Sequence, residues 1–387
     1  MENLVSKKAV EAVEGSERVR VISHHDADGI SAAAILLTAL LRKGKSVHLS
    51  IEKCITPELI EKLNKEDLET VIFSDFGSGY LNLLGDLKCR NLIICDHHQI
   101  RGEYPKENLY HITPLLAGMD EDEISGAGVS YLLAKSLDPR NSDLSYMALI
   151  GAIGDIQEEN WVMKGLNERI LEEAVKQGMV FKEKGVRLFG RSSRPIHKAL
   201  EYSTDPYIPG ITGNPSAAIQ LLTEIGIELK DGERWRTLED LSDEEMRKLN
   251  SAIIKERIRN GESDAENIFG DVYRIEVFPV FRDAREFATA LNACGRMGEA
   301  GIGVLACMGL EEAQKKLMGI MNGYRKLLGS YLNWLRESDS VERTENAIYI
   351  LAGRNIHENF IGTVTSIALK SGLFEDLPLI GFADAED

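Results

Sequence analysis

The sequence predicts an α/β protein: a parallel-sheet domain, a helical insert and a smaller carboxyl-terminal α/β domain. Three observations lead there. Short β-branched runs recur at Arg18–Ile22, Thr70–Ser74 and Asn91–Cys95, with a fourth apolar block at Met147–Ile153. These runs are too short to span a membrane and too apolar for exposed strands, so they fit a parallel sheet covered on both faces. Each of the four ends on an aspartate: Asp26 and Asp28, Asp75, Asp96 and Asp155. Parallel strands place such residues along one sheet edge, where open α/β sheets bind ligands.

The first of these turns organises the chain. Ser23-His24-His25-Asp26-Ala27-Asp28-Gly29-Ile30-Ser31 sits between the first strand and an Ala/Leu-rich helical block, Ala32–Leu41. Gly29 permits a sharp turn, and Ser31 is expected to cap the helix. Taken alone, D-x-D in a loop is ordinarily a solvated acidic turn. Repetition changes that reading, because carboxylates gathered at one edge repel one another unless cations neutralise them. Hard divalent ions such as Mg²⁺ and Mn²⁺ take oxygen ligands, and Mn²⁺ also accepts imidazole. The sequence therefore points to a two-ion site.

Composition is that of a soluble globular protein: 387 residues, 43% hydrophobic and 28% charged. No apolar window reaches membrane-span length, and M-E-N-L-V-S-K-K lacks a signal-peptide core. The five cysteines form no C-x-x-C pair and read as thiols of a reducing, cytoplasmic compartment. A net charge of −17 argues against a general nucleic-acid coat. Locally, however, Lys182, Lys184, Arg187, Arg191, Arg194 and Lys198 face a single acid, Glu183.

Along the chain, residues 4–14 read as an amphipathic helix, Val47–Ile51 as a strand, and Pro57–Leu68 as a helix capped by Thr56. Ser125-Gly126-Ala127-Gly128 opens a helix; without the third glycine of a dinucleotide fingerprint, close packing is expected there and not phosphate binding. Residues 165–178, 215–226 and 237–260 read as helices. A second α/β pattern starts at Val272: helix Ala284–Gly295, strand Ile302–Met308, helix Glu311–Leu335, strand Ala347–Leu351, helix Asn359–Lys370 and strand Leu377–Phe382. The expected domains are 1–160, 161–268 and 269–387.

The four motifs, H-x-D-x-D-G-x-S, a lone Asp, D-H-H and G-D, occur in order between Arg18 and Gln157 and resemble the DHH phosphoesterase superfamily. The segment Leu188–Leu200, the run Asn292-Ala293-Cys294-Gly295-Arg296 and Asn355–Ser366 resemble its archaeal RecJ-like subgroup. The resemblance implies a metal-bearing catalytic domain and a DHH-associated domain that holds substrate across a cleft. It implies two Mn²⁺ or Mg²⁺ ions held by Asp26, Asp28, Asp75, Asp96, His97 and Asp155, with Asp75 bridging. It implies His98 against the scissile phosphate. His24 is added as a ligand of the first ion, although in small-substrate relatives the motif-one histidine stands at the position held here by Ile22. His25 is expected to be structural or to support a ligand from behind.

Arg191 and Arg194 are candidate phosphate contacts, through the bidentate geometry of guanidinium, with Arg296 next. A solvated loop is the competing reading. Aromatic residues are sparse, so no extended base-stacking platform is expected, Tyr202, Tyr207 and Phe189 being the exceptions near the basic segment. The family's carboxyl-terminal G-G-G-H motif has no match, which leaves substrate grip in question. The implied activity is exonucleolytic release of mononucleotides from single-stranded DNA or RNA, with 5′→3′ polarity favoured by the family, in replication or repair. The alternatives are an oligoribonuclease or dinucleotide phosphodiesterase, and a replication scaffold binding the GINS complex.

Overall fold

The structure is a computed structural model and describes residues 4–203, 206–338, 340–370, 373–374 and 377–385. Its chain forms two compact units, residues 1–183 with 271–318, and residues 184–270 with 319–387.

The first unit is built on five parallel strands: β1 (Arg18–His24), β2 (Ser46–Glu52), β3 (Thr70–Ser74), β4 (Asn91–Cys95) and β5 (Leu109–Ile112). Their order is β2-β1-β3-β4-β5. The chain steps from β1 to one side for β2 and returns to the other side for β3, so the topological switch lies between β1 and β3. That is where an open sheet leaves a crevice at its strand ends. Register aligns Ser23 with Ser74 and Ser74 with Cys95, so the next residues, His24, Asp75 and Asp96, emerge side by side. Strand β5 was not foreseen; its His111 bonds to Ser78 Oγ at 2.8 Å.

The helices of this unit's first segment are α1 (Lys7–Glu14), α2 (Ala27–Arg42), α3 (Pro57–Leu63), the single turn α4 (Leu81–Leu84), α5 (Gly126–Leu137), α6 (Ser145–Gly154) and α7 (Gly165–Lys176). Thr56 caps α3 as expected. Two expectations are corrected. Ser31 is not the cap of α2: Asp26 is, accepting from Gly29 N at 3.0 Å. Met147–Ile153 is no strand but lies in α6. Every residue from Ser145 to Ile153 is buried, and a segment apolar all round carries no period that separates strand from buried helix. Asp155 thus reaches the sheet edge from a helix C-terminus.

A short hairpin, β6 (Glu158–Glu159) and β7 (Val162–Met163), follows Asp155. The chain leaves this unit along β8 (Val180–Val186). In the second unit, α8 (Ile196–Glu201), α9 (Pro215–Glu224), the hairpin β9 (Lys230–Asp231) and β10 (Arg234–Trp235), and α10 (Asp243–Arg259) enclose a core that includes Leu188, Leu200, Leu222, Leu249 and Ile253. The chain returns along β11 (Phe269–Ile275).

The linear segments 1–160, 161–268 and 269–387 are not the observed compact units. Helices α11 (Ala284–Arg296) and α12 (Ala300–Cys307) belong to the first unit and pack on α2 and α6. Ile302–Met308, expected as a strand, lies largely within α12, whose apolar run again hides its period. Tyr146 donates to Cys307 O at 3.0 Å, tying α6 to α12. Helix α13 (Glu311–Glu337) carries the chain into the second unit's sheet, β12 (Val341–Arg343), β13 (Ile348–Gly353) and β14 (Leu379–Ala383), with α14 (Glu358–Lys370) against β14. No helix among the described residues is long and apolar enough to cross a membrane.

Candidate metal centre

Asp75 follows β3 directly and holds a left-handed backbone, φ 62°, unusual outside glycine. Its N–H donates to Cys95 O at 2.9 Å, which fixes that conformation at the sheet edge. The Asp75 side chain is buried, yet neither carboxylate oxygen has a hydrogen-bond partner among the described residues. Buried charge without a partner is costly, so such a group is ordinarily protonated or bound to a cation.

Three sets of donors converge with their ligand atoms within 4.8 Å of one another: His24, Asp26 and Asp75; Asp28, His97 and Asp155; and Asp75, His97 and His98. Asp75 belongs to the first and third of these. His24 Nδ1 lies 2.9 Å from Asp26 Oδ2 and 3.5 Å from Asp75 Oδ2. His97 Nε2 lies 3.6 Å from Asp75 Oδ1, 3.5 Å from Asp155 Oδ2 and 3.9 Å from Asp28 Oδ2, and it too lacks a hydrogen-bond partner among the described residues. The His97 ring faces three carboxylates with its outer nitrogen, while Nδ1 sits 3.0 Å from Glu121 O. An Nδ1–H donated to that carbonyl leaves an Nε2 lone pair toward the carboxylates, the tautomer a cation requires. Oxygen-rich, imidazole-containing donor sets suit Mn²⁺ or Mg²⁺. The residues present fit such ions.

Asp28 is held from behind. Gly126 N and Ala127 N donate to its two oxygens at 2.6 and 3.0 Å. The G-A-G start of α5 therefore spends its free amides on a carboxylate of the cluster, as close packing demands. Gly126 leaves no room for a side chain, since a Cβ there would lie 2.5 Å from Asp75 Oδ1. Gly151 of α6 likewise abuts Asp28 Oδ1.

Asp96, expected among the ligands, is surrounded by hydrogen-bond donors. It is absent from all three donor sets. Oδ1 accepts from His97 N, His98 N and His98 Nδ1 at 2.8, 3.2 and 2.7 Å, and Oδ2 accepts from Ser78 N at 2.9 Å. Those bonds aim His98.

Charge follows from these contacts. Burial, then Asp28 and Asp26, raise the Asp75 carboxyl well above its ordinary value. Burial and Asp28 push Asp155 up to about 7. Burial also opposes ionisation of Asp26 and Asp96, but His24 and His98, with the Gly29 and Ser78 amides, outweigh it and hold both carboxyls below the usual range. The bond to Asp96 raises His98 to about 9 against its burial. His24 is raised as well, Asp26 outweighing burial. His25 falls to about 4 through burial and its neighbour His24. It lies outside the donor sets, with Nδ1 3.1 Å from His24 Nε2.

The family model for the DHH family, N-terminal domain, matches residues 18–153, the sheet and the turns just described. The chain is a member of the DHH family. A DHH-CID domain model matches residues 188–268 of the second unit. An uncharacterized protein of Methanocaldococcus jannaschii is 34% identical over 372 residues, 94% of this chain and 78% of its own length. The single-stranded-DNA-specific exonuclease RecJ of Thermus thermophilus is 27% identical over 206 residues, 49% of this chain but 30% of its own. Among solved structures, RecJ of Thermus thermophilus in complex with Mn²⁺ superposes with a TM-score of 0.56 at 19% identity, over 96% of this chain and 44% of that one. CDC45 of Entamoeba histolytica gives 0.69 at 15% identity, over 96% and 83%. At such identities the structures share the fold. The chain spans less than half the length of the Thermus protein.

Of the remaining expected residues, Arg296 ends α11 in the first unit, just after Gly295, whose Cα abuts His25 O so closely that a Cβ would meet it. Arg194 in the second unit lies over the rings of Phe189 (4.8 Å) and Tyr202 (5.4 Å). Arg191 is half-buried in the same segment. Four site residues were given no role by the sequence reading: Ser78, Gln157, Asn167, and Asn292, whose Oδ1 accepts from Ala27 N at 2.9 Å. Gln157, two residues past Asp155, and Asn292, in the run Asn292–Arg296, carried a positional signal.

Proposed function

We propose that this DHH-family chain is a two-cation phosphodiesterase, an exonuclease that hydrolyses single-stranded DNA, and RNA as a second substrate, to mononucleotides in the 5′→3′ direction. The observation that carries the reading is Asp75, buried, without a hydrogen-bond partner among the described residues and shared between donor sets. One set, His24, Asp26 and Asp75, would hold one ion; Asp28, His97 and Asp155, with Asp75 between, would hold the other. Divalent cations bound there supply Lewis acidity toward water and toward a phosphate diester.

The chain's own residues do the rest. Asp75, fixed by its strained backbone, sets the spacing of the two ligand groups. His98, with Nδ1 committed to Asp96 and its charge favoured, offers Nε2–H to a phosphoryl oxygen. Asp96 orients that ring and preserves its charge. Arg191, Arg194 and Arg296 are assigned to backbone phosphates, where guanidinium binds bidentately. The Thermus thermophilus relative named a single-stranded-DNA-specific exonuclease supports the substrate class, and the second reading, an oligoribonuclease of the same family, is separated by chain length of the preferred substrate. A replication role with GINS as partner draws support from the CDC45-like fold, and a pull-down with purified GINS tests it.

The deciding experiment offers 5′- and 3′-labelled single strands to the protein with Mn²⁺ or Mg²⁺, beside Asp75→Ala. Metal-dependent mononucleotide release, lost in the variant, is expected. Cation binding without release of any nucleotide would overturn the nuclease reading, and no cation binding would overturn the two-ion site.

A further inference from the structure

Behind Asp155 and His97 lies a buried amide that the chemistry above does not use. Gln157 Nε2 is 3.0 Å from Asp155 Oδ2 and 3.1 Å from His97 Nδ1. Its Oε1 accepts from Asn167 Nδ2 at 2.7 Å. Asn167, on α7, accepts in turn from Ser125 N at 3.3 Å. Ser125 Oγ then accepts from Gly128 N at 3.1 Å, capping α5, whose first two amides grip Asp28. Gln157 and Asn167 are both buried.

The direction of this chain of bonds is not free. Ser125 offers a backbone N–H, which is only a donor, so Asn167 meets it with Oδ1 and turns Nδ2 to Gln157. Gln157 must answer with Oε1, which leaves its NH₂ aimed at Asp155 and His97. One backbone amide therefore dictates which end of Gln157 faces the cluster. Asp28, Asp155 and His97, the three donors of a single set, are all tied to this relay.

We infer that Gln157, locked by Asn167, is a positioning residue for that donor set, holding Asp155 and His97 at the separation one cation needs. This rests on the two-cation reading. The two neighbours of His97 Nδ1 have opposite demands: Glu121 O needs a donor there and Gln157 Nε2 needs an acceptor. When a cation takes the Nε2 lone pair, Nδ1–H turns to Glu121 O and the Gln157 amide serves Asp155 alone. Partners of this kind, one bond removed from the ion, typically govern about 10–100-fold in metal affinity. No such tie reaches His24 or Asp26 through Gln157, so the effect should fall on one ion of the two.

The test is Mn²⁺ calorimetry and electron paramagnetic resonance on the full chain, wild type beside Gln157→Leu and Asn167→Asp. The first variant removes the donor. The second is isosteric and presents oxygen to Gln157, which should rotate the amide and set its Oε1 against Asp155. Melting temperature in chelator checks that each variant is folded. We expect wild type to bind two ions and to show a spin-coupled pair. Both variants should bind one ion at near wild-type affinity and the other roughly 10–100-fold more weakly. At one equivalent of Mn²⁺ they should show the six-line signal of an isolated ion. Folded variants that bind two ions as tightly as wild type would overturn the inference. A wild type that binds no Mn²⁺ would instead overturn the two-cation reading beneath it.

Discussion

Gly126→Ala is the sharpest perturbation of the centre, because one methyl group meets Asp75, which belongs to two of the three donor sets. An added Cβ would lie 2.5 Å from Asp75 Oδ1, 2.7 Å from Asp75 Cβ and 2.8 Å from its Cα. Comfortable carbon–carbon contact begins at ~3.5 Å, so the overlap with Asp75 Cβ is roughly 0.8 Å. Asp75 cannot retreat freely: its φ of 62° is already uncommon and its amide is bonded to Cys95 O. Helix α5 cannot retreat either without pulling Gly126 N from Asp28 Oδ2, now 2.6 Å away. Overpacking of this kind costs about 1–3 kcal/mol, and alanine's helix preference returns less than about 1 kcal/mol at a first helical position. The net loss is about 1–2 kcal/mol, or a fall of roughly 2–8 °C in melting temperature measured in chelator. Mn²⁺ affinity, read by calorimetry, should fall by roughly 10–100-fold. Gly323→Ala in α13 is the control: nothing lies within 4 Å of its Cβ position, so it should stabilise by about 0.8–1 kcal/mol and leave Mn²⁺ affinity unchanged. A Gly126→Ala protein with wild-type melting temperature and wild-type affinity would refute the seating of α5 against Asp75 and Asp28.

Three further outcomes follow from the same geometry. With Asp75 and Asp155 raised by burial and by neighbouring carboxylates, the metal-free protein gains stability from these groups below the ordinary carboxylate range and loses it as pH rises through about 7; added Mn²⁺ should therefore raise the melting temperature more at pH 8 than at pH 6, and an equal rise at both would count against the carboxylate cluster. Asp75→Asn should raise the melting temperature in chelator, since it removes a carboxyl whose ionisation burial and Asp28 oppose and asparagine tolerates a left-handed backbone, while abolishing Mn²⁺ binding; retained stoichiometry of two by calorimetry would contradict the shared carboxylate. Ile156 holds φ 59° and is 83% exposed at the position after Asp155, where Ile156 N bonds Ile153 O and Gln157 N bonds Ala152 O, a helix ending that favours glycine; Ile156→Gly should stabilise by about 0.5–1 kcal/mol in thermal unfolding, and a destabilised variant would show that this side chain is packed.

The sequence alone determined the strands β1, β3 and β4 and the residues that follow them. Their β-branched composition is local, and a parallel sheet with both faces covered leaves only one edge for the aspartates. Family membership was likewise legible, because four motifs in order are a linear property. Tertiary structure decided the rest. Asp155 arrives from a helix and not a strand, since the all-apolar Ser145–Ile153 segment carries no readable period. Residues 271–318 join the first unit because α11 and α12 bury their apolar faces on α2 and α6, a partnership between segments more than a hundred residues apart in sequence. Asp96 is indistinguishable from Asp75 as a residue type. Only the placement of Ser78 N and of the His97 and His98 donors gives one carboxylate its hydrogen bonds, while the other has none among the described residues. Hydrogen-bond partners are chosen by proximity in space, and no spacing along the chain encodes that choice.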